Sequence, residues 1–387
     1  MITTASRRGR LALMVAHCAG MLDLVALPVW VGTLMAHHRF DPQQAGGLAT
    51  IFLVGAVLAS VALAPRFGRL PRRRVATAGF GLAALAFFAA SSQSGFGAMA
   101  ALHALAGLSA GAALSVTHGT IARAANPHRL FALVGAALGV FAIAFFATVP
   151  PLLAARGGPM LFRVFAVVMG VAAAVALLAF PQQDAPAAAQ AAAPAERAVP
   201  FPRAVWFGIV GIGGMGLVQA MTFAFLERVG AARGFEASAV AAVLVAMSGV
   251  NLAPAPLAAL LQRRLDARAV LLAGPVLQAL GVAAIMLSTA FMPYAAAAAV
   301  FAAVMIFTHT FAFGLLARLE SSGRALAATP AMVMTGAAIG PILGGTLVKA
   351  FGYGSLALAA AVVAVVSVGC FRQLPSRPAA VAREVLA

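Results

Sequence analysis

Charged residues are scarce in this chain. Of 387 residues, 9% are charged and 63% are hydrophobic, and the mean hydropathy is +1.01. So few polar side chains cannot cover a water-facing globule of this size. This excludes a soluble enzyme and a soluble nucleic-acid-binding domain, despite the formal net charge of +17. The 2 cysteines, Cys18 and Cys370, lie at opposite ends in apolar segments. They exclude a secreted disulfide scaffold and are expected to be reduced thiols.

Twelve apolar runs are long enough to cross a membrane, since about 20 helical residues span a hydrocarbon core of roughly 30 Å. The runs lie near residues 11–36, 44–65, 75–92, 97–122, 130–153, 161–180, 204–227, 238–262, 269–289, 292–317, 326–349 and 354–372. They are too long and too uniformly apolar for barrel strands, and a helix satisfies its own backbone hydrogen bonds in lipid. The sequence therefore predicts an all-α membrane protein with twelve transmembrane helices.

Positive charge is concentrated in alternate connections between these runs. Of the 26 lysines and arginines, six depart from this pattern: Arg39, Arg156, Arg163, Arg228, Arg233 and Lys349. The positive-inside rule then places both termini in the cytoplasm. The preference for arginine and alanine suits a GC-rich bacterial genome, so we expect a multi-pass protein of the bacterial inner membrane.

The second half of the chain repeats the first. Residues 182–203 are rich in proline and alanine and predict a cytoplasmic linker between an N-terminal half, residues 1–181, and a C-terminal half, residues 204–387. A constant offset of 195 pairs Phe40 with Phe235, Asp41 with Glu236, Arg69 with Arg264, Arg73 with Arg268, Gly79 with Gly274 and Arg123 with Arg318. This predicts two pseudo-symmetric six-helix bundles with a substrate site between them.

Three motifs lead to a family. Arg66-Phe67-Gly68-Arg69, followed by Arg72, Arg73 and Arg74, comes after the second run; His103-Ala-Leu-Ala-Gly107-Leu-Ser-Ala-Gly111 lies in the fourth; and Gly336-Ala-Ala-Ile-Gly340-Pro341-Ile-Leu-Gly344-Gly345 lies in the eleventh. Together with the repeat, they resemble the major facilitator superfamily of secondary transporters over essentially the whole chain. The resemblance implies the twelve-helix fold of that family and transport by rocking of the two halves.

The sequence departs from each family motif. Pro65 stands where the cytoplasmic signature has Asp, and His103 stands where the fourth-span pattern has Arg. The resemblance implies a cytoplasmic gate formed by Arg66, Gly68, Arg69 and Arg73 with Arg264 and Arg268, although these arginines could simply set topology. The glycine string stands in the eleventh run, whereas antiporter members carry it in the fifth. It predicts close packing and a hinge at Gly336, Gly340, Pro341, Gly344 and Gly345.

Ionisable groups inside spans are costly unless they are paired or wet, which makes them functional candidates. Asp23, expected midway along the first helix on a face of small residues, is the predicted proton-coupling carboxylate; its alternative is a structural hydrogen bond. His103 is predicted to assist, because His can titrate where Arg cannot, or else to be a satisfied packing residue. His118 is expected near the cytoplasmic end of the fourth span, and a structural role is the favoured interpretation for it.

Five residues are candidates for contact with substrate: His309, Gln219, Asn251, Phe145 and Phe223. His309 is the ionisable residue inside the tenth run. The two amides could instead join helices, and the phenylalanines could be ordinary filler. No Arg or Lys falls at the centre of a run, which argues against a buried clamp for an anion, and the many phenylalanines suit amphiphilic compounds.

Met14, His17, Cys18 and Met21 share one helix face, and Met305 and His309 repeat a four-residue spacing, which leaves copper transport as a lesser alternative. No resident metal, cofactor or catalytic residue is predicted, since phosphate-binding loops and nucleophile elbows are lacking.

The sequence thus predicts a monomeric, non-enzymatic secondary transporter, with a small-molecule substrate, protons and membrane lipids as its partners and no nucleic acid. Proton-coupled efflux of amphiphilic compounds is favoured. Uptake of a small organic solute is the close alternative, and a non-transporting membrane receptor is the least favoured one.

Overall fold

The computed structural model describes residues 2–181, 202–319 and 324–375. The chain divides into two compact units, Met1–Ala198 and Val199–Ala387. The boundary between the units falls inside the predicted linker, of which residues 182–201 lie outside the described part of the chain.

The described residues form helices and contain no strand. Unit 1 contains α1 (Arg7–Gly20), α2 (Leu22–Ala36), α3 (Pro42–Leu63), a 3₁₀ turn (Ala64–Arg69), α4 (Arg72–Ala90), α5 (Phe96–Ala122), α6 (Pro127–Arg156) and α7 (Pro159–Ala179). Unit 2 contains α8 (Arg203–Ala232), α9 (Ala237–Val250), α10 (Pro254–Leu261), α11 (Ala267–Leu287), α12 (Phe291–Leu319), α13 (Arg324–Phe351) and α14 (Ser355–Arg372). Within this part of the chain, 12 helical segments are long and apolar enough to cross a membrane, which confirms the predicted fold class.

Two spans are broken, whereas the sequence predicted one continuous helix for each. The first span, Arg7–Ala36, is interrupted at Met21, whose φ of −104° and ψ of 17° leave the helical region. Gly20, which directly precedes the break, has low helix propensity. The eighth span, Ala237–Leu261, is interrupted at residues 251–253, because Pro254 has no N–H to continue a helix.

The predicted offset of 195 reappears in the backbone geometry. Among the described residues, positive φ occurs at Arg39 (57°), Gly157 (80°), Gly234 (76°) and Gly352 (76°). Arg39 pairs with Gly234 at that offset, and Gly157 pairs with Gly352. Gly157, Gly234 and Gly352 each follow the end of a helix, where a left-handed residue satisfies the last carbonyls. The two units therefore end equivalent helices in the same way.

Local sequence also explains where helices begin. At the start of α3, Asp41 Oδ1 accepts a hydrogen bond from Gln44 N at 2.9 Å, and Gln44 Oε1 accepts one from Asp41 N at 3.2 Å. This reciprocal arrangement is a capping box. Asp266 caps α11 similarly, since its Oδ2 accepts from Ala269 N at 2.9 Å.

Close packing inside each unit depends on glycines. In unit 1, α5 packs against α3 and α4, and α4 packs against α7. A Cβ on Gly107 of α5 would lie 2.8 Å from the backbone of Phe52 in α3, so only glycine permits this approach. In unit 2, α8 packs against α13 and α14, and α11 packs against α12 and α14.

Candidate functional site

The break in the first span positions Asp23. The residue lies in the first turn of α2 and is 8% exposed. Its Oδ1 atom is buried and has no hydrogen-bond partner among the described residues. The N-terminus of a helix favours a negative charge, and broken helices in transporters direct such ends at ions and polar groups. The helix N-terminus therefore lowers the cost of a charge on Asp23 but does not remove the cost of burying it.

The break in unit 2 carries a similar feature. Asn251 is the C-cap of α9, with its backbone N–H bonded to Met247 O at 2.9 Å. Its side-chain Oδ1 is also buried without a partner in the described structure. A buried acceptor of this kind costs free energy unless something donates to it. Each unit thus contains a broken span with an unpaired side-chain oxygen at the break.

His103 is fully enclosed in an aromatic cluster of unit 1. Its Nδ1 donates to the Met99 carbonyl at 2.7 Å, so its Nε2 is free to accept from Trp30 Nε1 at 3.3 Å. The ring is 0% exposed and packs against Phe87 and Phe162. Both ring nitrogens are used by the neutral form, and protonating Nε2 would break the bond from Trp30. Of the two roles that the sequence left open for His103, this geometry favours packing.

A second pair of side chains meets within the same unit. His17 Nδ1 of α1 lies 3.0 Å from His118 Nε2 of α5, with ring centroids 5.1 Å apart. One imidazole donates this hydrogen bond and the other accepts it. His17 lies in the last turn of α1, where the helix dipole favours a positive charge. It precedes Asp23 by six residues, on the other side of the break at Met21.

The predicted substrate-side residues of unit 2 occupy different settings. His309 Nδ1 donates to Met305 O at 2.9 Å, and the half-buried ring lies 4.9 Å from Phe313. Gln278 Nε2 donates to Met215 O at 3.1 Å and to Gln219 Oε1 at 3.3 Å. The amide of Gln219 therefore joins α8 to α11 while retaining its own N–H donors.

Both candidate phenylalanines are buried. Phe145 is 3% exposed and stacks edge-on with Phe146 at 5.5 Å. Phe223 is 5% exposed and lies 5.8 Å from the Phe301 ring. Each of these contacts lies within a single unit. Such contacts are expected for ordinary aromatic packing and also for the wall of a cavity.

The motif arginines have unequal roles. Arg73 at the start of α4 donates to Leu177 O at the end of α7, and Arg268 Nη2 at the start of α11 donates to Arg372 O at 2.7 Å at the end of α14. Both donor and acceptor pairs are separated by the offset of 195. A cation at these carbonyls stabilises the helix C-terminus. Arg66 Nη1, in the 3₁₀ turn, instead donates to Ala62 O near the end of α3 at 2.7 Å.

Of the remaining motif residues, Arg69 and Arg264 are exposed, and Gly68 lies in the 3₁₀ turn that follows α3. A gating role for Arg66, Gly68, Arg69, Arg73, Arg264 and Arg268 stays a prediction.

Removing the Arg268 cap tests its structural contribution. We expect Arg268→Gln to lower the free energy of unfolding by about 1 kcal/mol, because the end of α14 loses a charge-assisted hydrogen bond. Thermal unfolding of the purified protein in detergent measures this. Arg263→Gln is the matched control, since Arg263 is exposed and makes no such bond in the described structure. Equal melting temperatures for the two variants would contradict the capping role.

The glycine string lies at the contact between α13 and α8. A Cβ on Gly336 would collide with the Gly213 carbonyl, and one on Gly340 would lie 2.7 Å from Met221 N. One on Gly344 would lie 2.9 Å from the Met221 side chain. Pro341 and Gly345 are buried beside them. The positions leave no room for larger side chains, and the hinge expected there stays a prediction.

The sequence matches one family over most of its length. The model of the Major Facilitator Superfamily aligns with residues 12–322. The chain belongs to this superfamily. It is therefore a membrane transporter and not an enzyme.

Solved structures share this fold. The crystal structure of the nucleoside transporter NupG has a TM-score of 0.71 and 15% identity, with 95% of this chain and 98% of that chain covered. A bacterial homologue of the human lysosomal transporter Spinster, in an inward-facing and occupied conformation, has a TM-score of 0.69 and 14% identity, covering 97% and 94%. Curated protein sequences gave no match. Identities this low establish the fold alone.

Sequence reasoning missed three features of the transporter. The His17–His118 pair joins residues 101 positions apart, and no local pattern signals it. Phe67 stands within the first motif without an assigned role, yet Arg72 and Arg123 lie over its ring at 4.5 and 4.4 Å. Glu227 was overlooked as a carboxylate inside the seventh span. Asp23 and Glu227 are the acidic residues within the described spans.

Within the described residues, no cluster of metal ligands supports the alternative of copper transport. Among the described residues, no group of three or more His, Cys, Asp or Glu side chains is placed to hold a metal ion. His17 is shared between the predicted copper stripe of α1 and the pair with His118.

Proposed function

We propose that the chain is a proton-coupled secondary transporter that exports small amphiphilic organic compounds across the bacterial inner membrane by alternating access. The observation that carries the proton coupling is Asp23, a buried carboxylic acid with an unpaired oxygen at the break of the first span. A buried carboxylate without a partner is costly, whereas its neutral acid is tolerated. Asp23 therefore suits a residue that gains and loses a proton as its access to water changes.

The imidazole pair suits the exchange of that proton. His17 and His118 lie in the arginine-rich half of the first span and of α5, between Asp23 and the arginine-rich ends of the helices. The pair can hold one added proton as an imidazolium hydrogen-bonded to a neutral ring. His103 is assigned a lesser, supporting role through its bond to Trp30.

The proposed substrate follows from charge. No Arg or Lys lies near the centre of a described span, and Asp23 is an anion when it is deprotonated. A cationic amphiphile bound nearby would favour the deprotonated form of Asp23 and so displace its proton, which is the simplest way to link export to proton entry. Asn251, His309 and Gln219 are the polar contacts proposed for unit 2.

Uptake of a small organic solute is the close alternative. The structural neighbour NupG is a nucleoside transporter, so nucleosides belong among the compounds to be tested. Copper remains the lesser alternative. We also propose that the protein acts as a monomer with both termini and the linker in the cytoplasm, and with membrane lipids as its surroundings.

A dye assay in proteoliposomes distinguishes these functions. The purified protein is reconstituted with a pH gradient and challenged with tetraphenylphosphonium, ethidium, nucleosides, aromatic acids and sugars. Proton antiport predicts that a lipophilic cation dissipates the gradient. Gradient-driven accumulation of a neutral solute in the direction of proton flow would instead establish uptake. If no compound moves protons while copper accumulates, both organic functions are wrong.

Disrupting the imidazole pair tests its part in proton exchange. We expect His118→Asn to slow transport more at alkaline than at acidic pH, because a proton-holding pair matters most where protons are scarce. Transport rates across a pH series measure this. His37→Asn is the control, since His37 is exposed beyond the end of α2. A uniform loss at every pH would assign the pair a packing role.

A further inference from the structure

Phe67 occupies a defined socket at the arginine-rich end of unit 1. The residue is 6% exposed, and its ring lies directly against Gly119 of α5, where a Cβ would collide with the ring. The guanidinium groups of Arg72 and Arg123 lie 4.5 and 4.4 Å from the ring centroid. Such distances are typical of cation–π contacts. The socket therefore consists of a glycine floor and stacking arginines, and an aromatic ring fills it.

The offset of 195 locates the same socket in unit 2. It relates Gly119 to Gly314 of α12 and Arg123 to Arg318, so the floor and one stacking arginine are retained. It relates Phe67 to Gln262, whose side chain is exposed. Among the described residues, no atom from another part of the fold lies within 4 Å of a Cβ built on Gly314, in contrast to Gly119. The described part of unit 2 thus retains the socket without its ring.

A cavity is present at this position. Its volume is about 250 Å³, and its walls include Gln262, Gly314 and Arg318 together with Phe311 and Thr310. Arg268 also lines it. The Nε atom of Arg268 is buried and has no partner among the described residues, although its Nη2 caps α14. Together with Arg318, Arg268 gives the cavity a cationic wall, which favours an anionic ligand.

The one acidic side chain in these walls is already engaged. Asp266 Oδ2 accepts from Ala269 N as the cap of α11. The remaining charged groups in the described wall, Arg268 and Arg318, are both cationic. A ligand that fits must therefore supply a flat ring for the glycine floor and a negative group for the guanidinium groups.

We propose that this cavity of unit 2 binds a small planar aromatic molecule that bears an anionic group, such as an aromatic carboxylate. The ring lies on Gly314 and under Arg318, as the Phe67 ring lies on Gly119 and against Arg123. The anionic group accepts from the guanidinium groups of Arg268 and Arg318 that line the cavity. The volume is just below the usual range of small-molecule pockets, which suits a single ring or two fused rings. The residues that line this site all belong to unit 2, whereas Asp23 belongs to unit 1.

The repeat itself provides the decisive variant. Gln262→Phe gives unit 2 the ring that unit 1 has, and it should fill the socket. Full-length protein in nanodiscs is titrated with 2-naphthoate, and binding is followed by equilibrium dialysis against empty nanodiscs. We expect saturable binding to the wild type and at least a tenfold loss of affinity in Gln262→Phe, equal to about 1.4 kcal/mol. Gly314→Leu, which occupies the floor directly, should give the same loss.

Three controls separate binding at this site from nonspecific partitioning and from misfolding. Arg263→Gln should bind 2-naphthoate like the wild type, because Arg263 does not line the cavity. Cyclohexanecarboxylate should bind at least about tenfold more weakly than benzoate, since it lacks a π face. Melting temperatures show whether each variant is folded. The proposal is wrong if wild type shows no saturable binding, if folded Gln262→Phe and Gly314→Leu both bind like wild type, or if the saturated acid binds as well as the aromatic one.

Discussion

Asp23→Asn is expected to abolish transport driven by a pH gradient and to leave substrate exchange in place. Asparagine mimics the neutral acid in size and polarity but cannot release a proton, so the carrier can still change conformation while its coupling is lost. Gradient-driven transport of the compound identified in proteoliposomes should fall by at least tenfold. A tenfold change corresponds to a free-energy difference of about 1.4 kcal/mol. Counterflow of labelled against unlabelled compound, without a gradient, should continue.

Glu227→Gln is the comparison for this result. Glu227 is the other carboxylate within the described spans, and it lies near the end of α8. Removing its charge should leave gradient-driven transport within about twofold of wild type, because Glu227 lies beside Arg228 near the end of α8 and not at a helix break. Loss of coupling in Glu227→Gln with retention in Asp23→Asn would transfer the role to unit 2.

Gly107→Ala is expected to have the largest effect on stability. A methyl group at Gly107 would lie 2.8 Å from the Cα and carbonyl carbon of Phe52, and backbone cannot move aside as a flexible side chain can. Overpacking of this kind costs about 1–3 kcal/mol, so we expect a drop of several degrees in melting temperature and a lower yield of monodisperse protein. Thermal unfolding followed by size-exclusion chromatography measures both.

Gly97 provides the matched control in the same helix. A Cβ at Gly97 meets nothing within 4 Å, so Gly97→Ala in α5 should be neutral or stabilising by up to about 1 kcal/mol through helix propensity. If both alanine variants melt alike, the close approach of α5 to α3 does not depend on Gly107.

Much of the fold is predictable because it depends on local sequence. Apolar length sets the spans, and positive φ follows helix ends at Gly157 and Gly352, where no side chain resists it. Because the second half of the chain repeats the first, the same local patterns predict the helices of both halves. The breaks at Met21 and at residues 251–253 were missed because glycine and proline are common in membrane helices without ending them.

The site was less predictable, because helix periodicity shows which residues share one face of a helix but not which helix packs against that face. Asp23 was singled out by the cost of charge in lipid, which depends on its own residue type. His103 was also singled out. Its hydrogen bond to Trp30 joins residues 73 positions apart, so the sequence could not show that both of its ring nitrogens are hydrogen-bonded. The same applies to His17 and His118, whose relation depends on how α1 and α5 rotate against each other.

The most direct test of the central claim is the release of protons when substrate binds. Purified wild type and Asp23→Asn are mixed with tetraphenylphosphonium, or with the compound that the panel identifies, in unbuffered detergent solution containing a pH indicator. If Asp23 exchanges a proton for substrate, the wild type should acidify the solution in proportion to the substrate bound, and the variant should bind without acidification. Equal proton release by both proteins would contradict the assignment of coupling to Asp23.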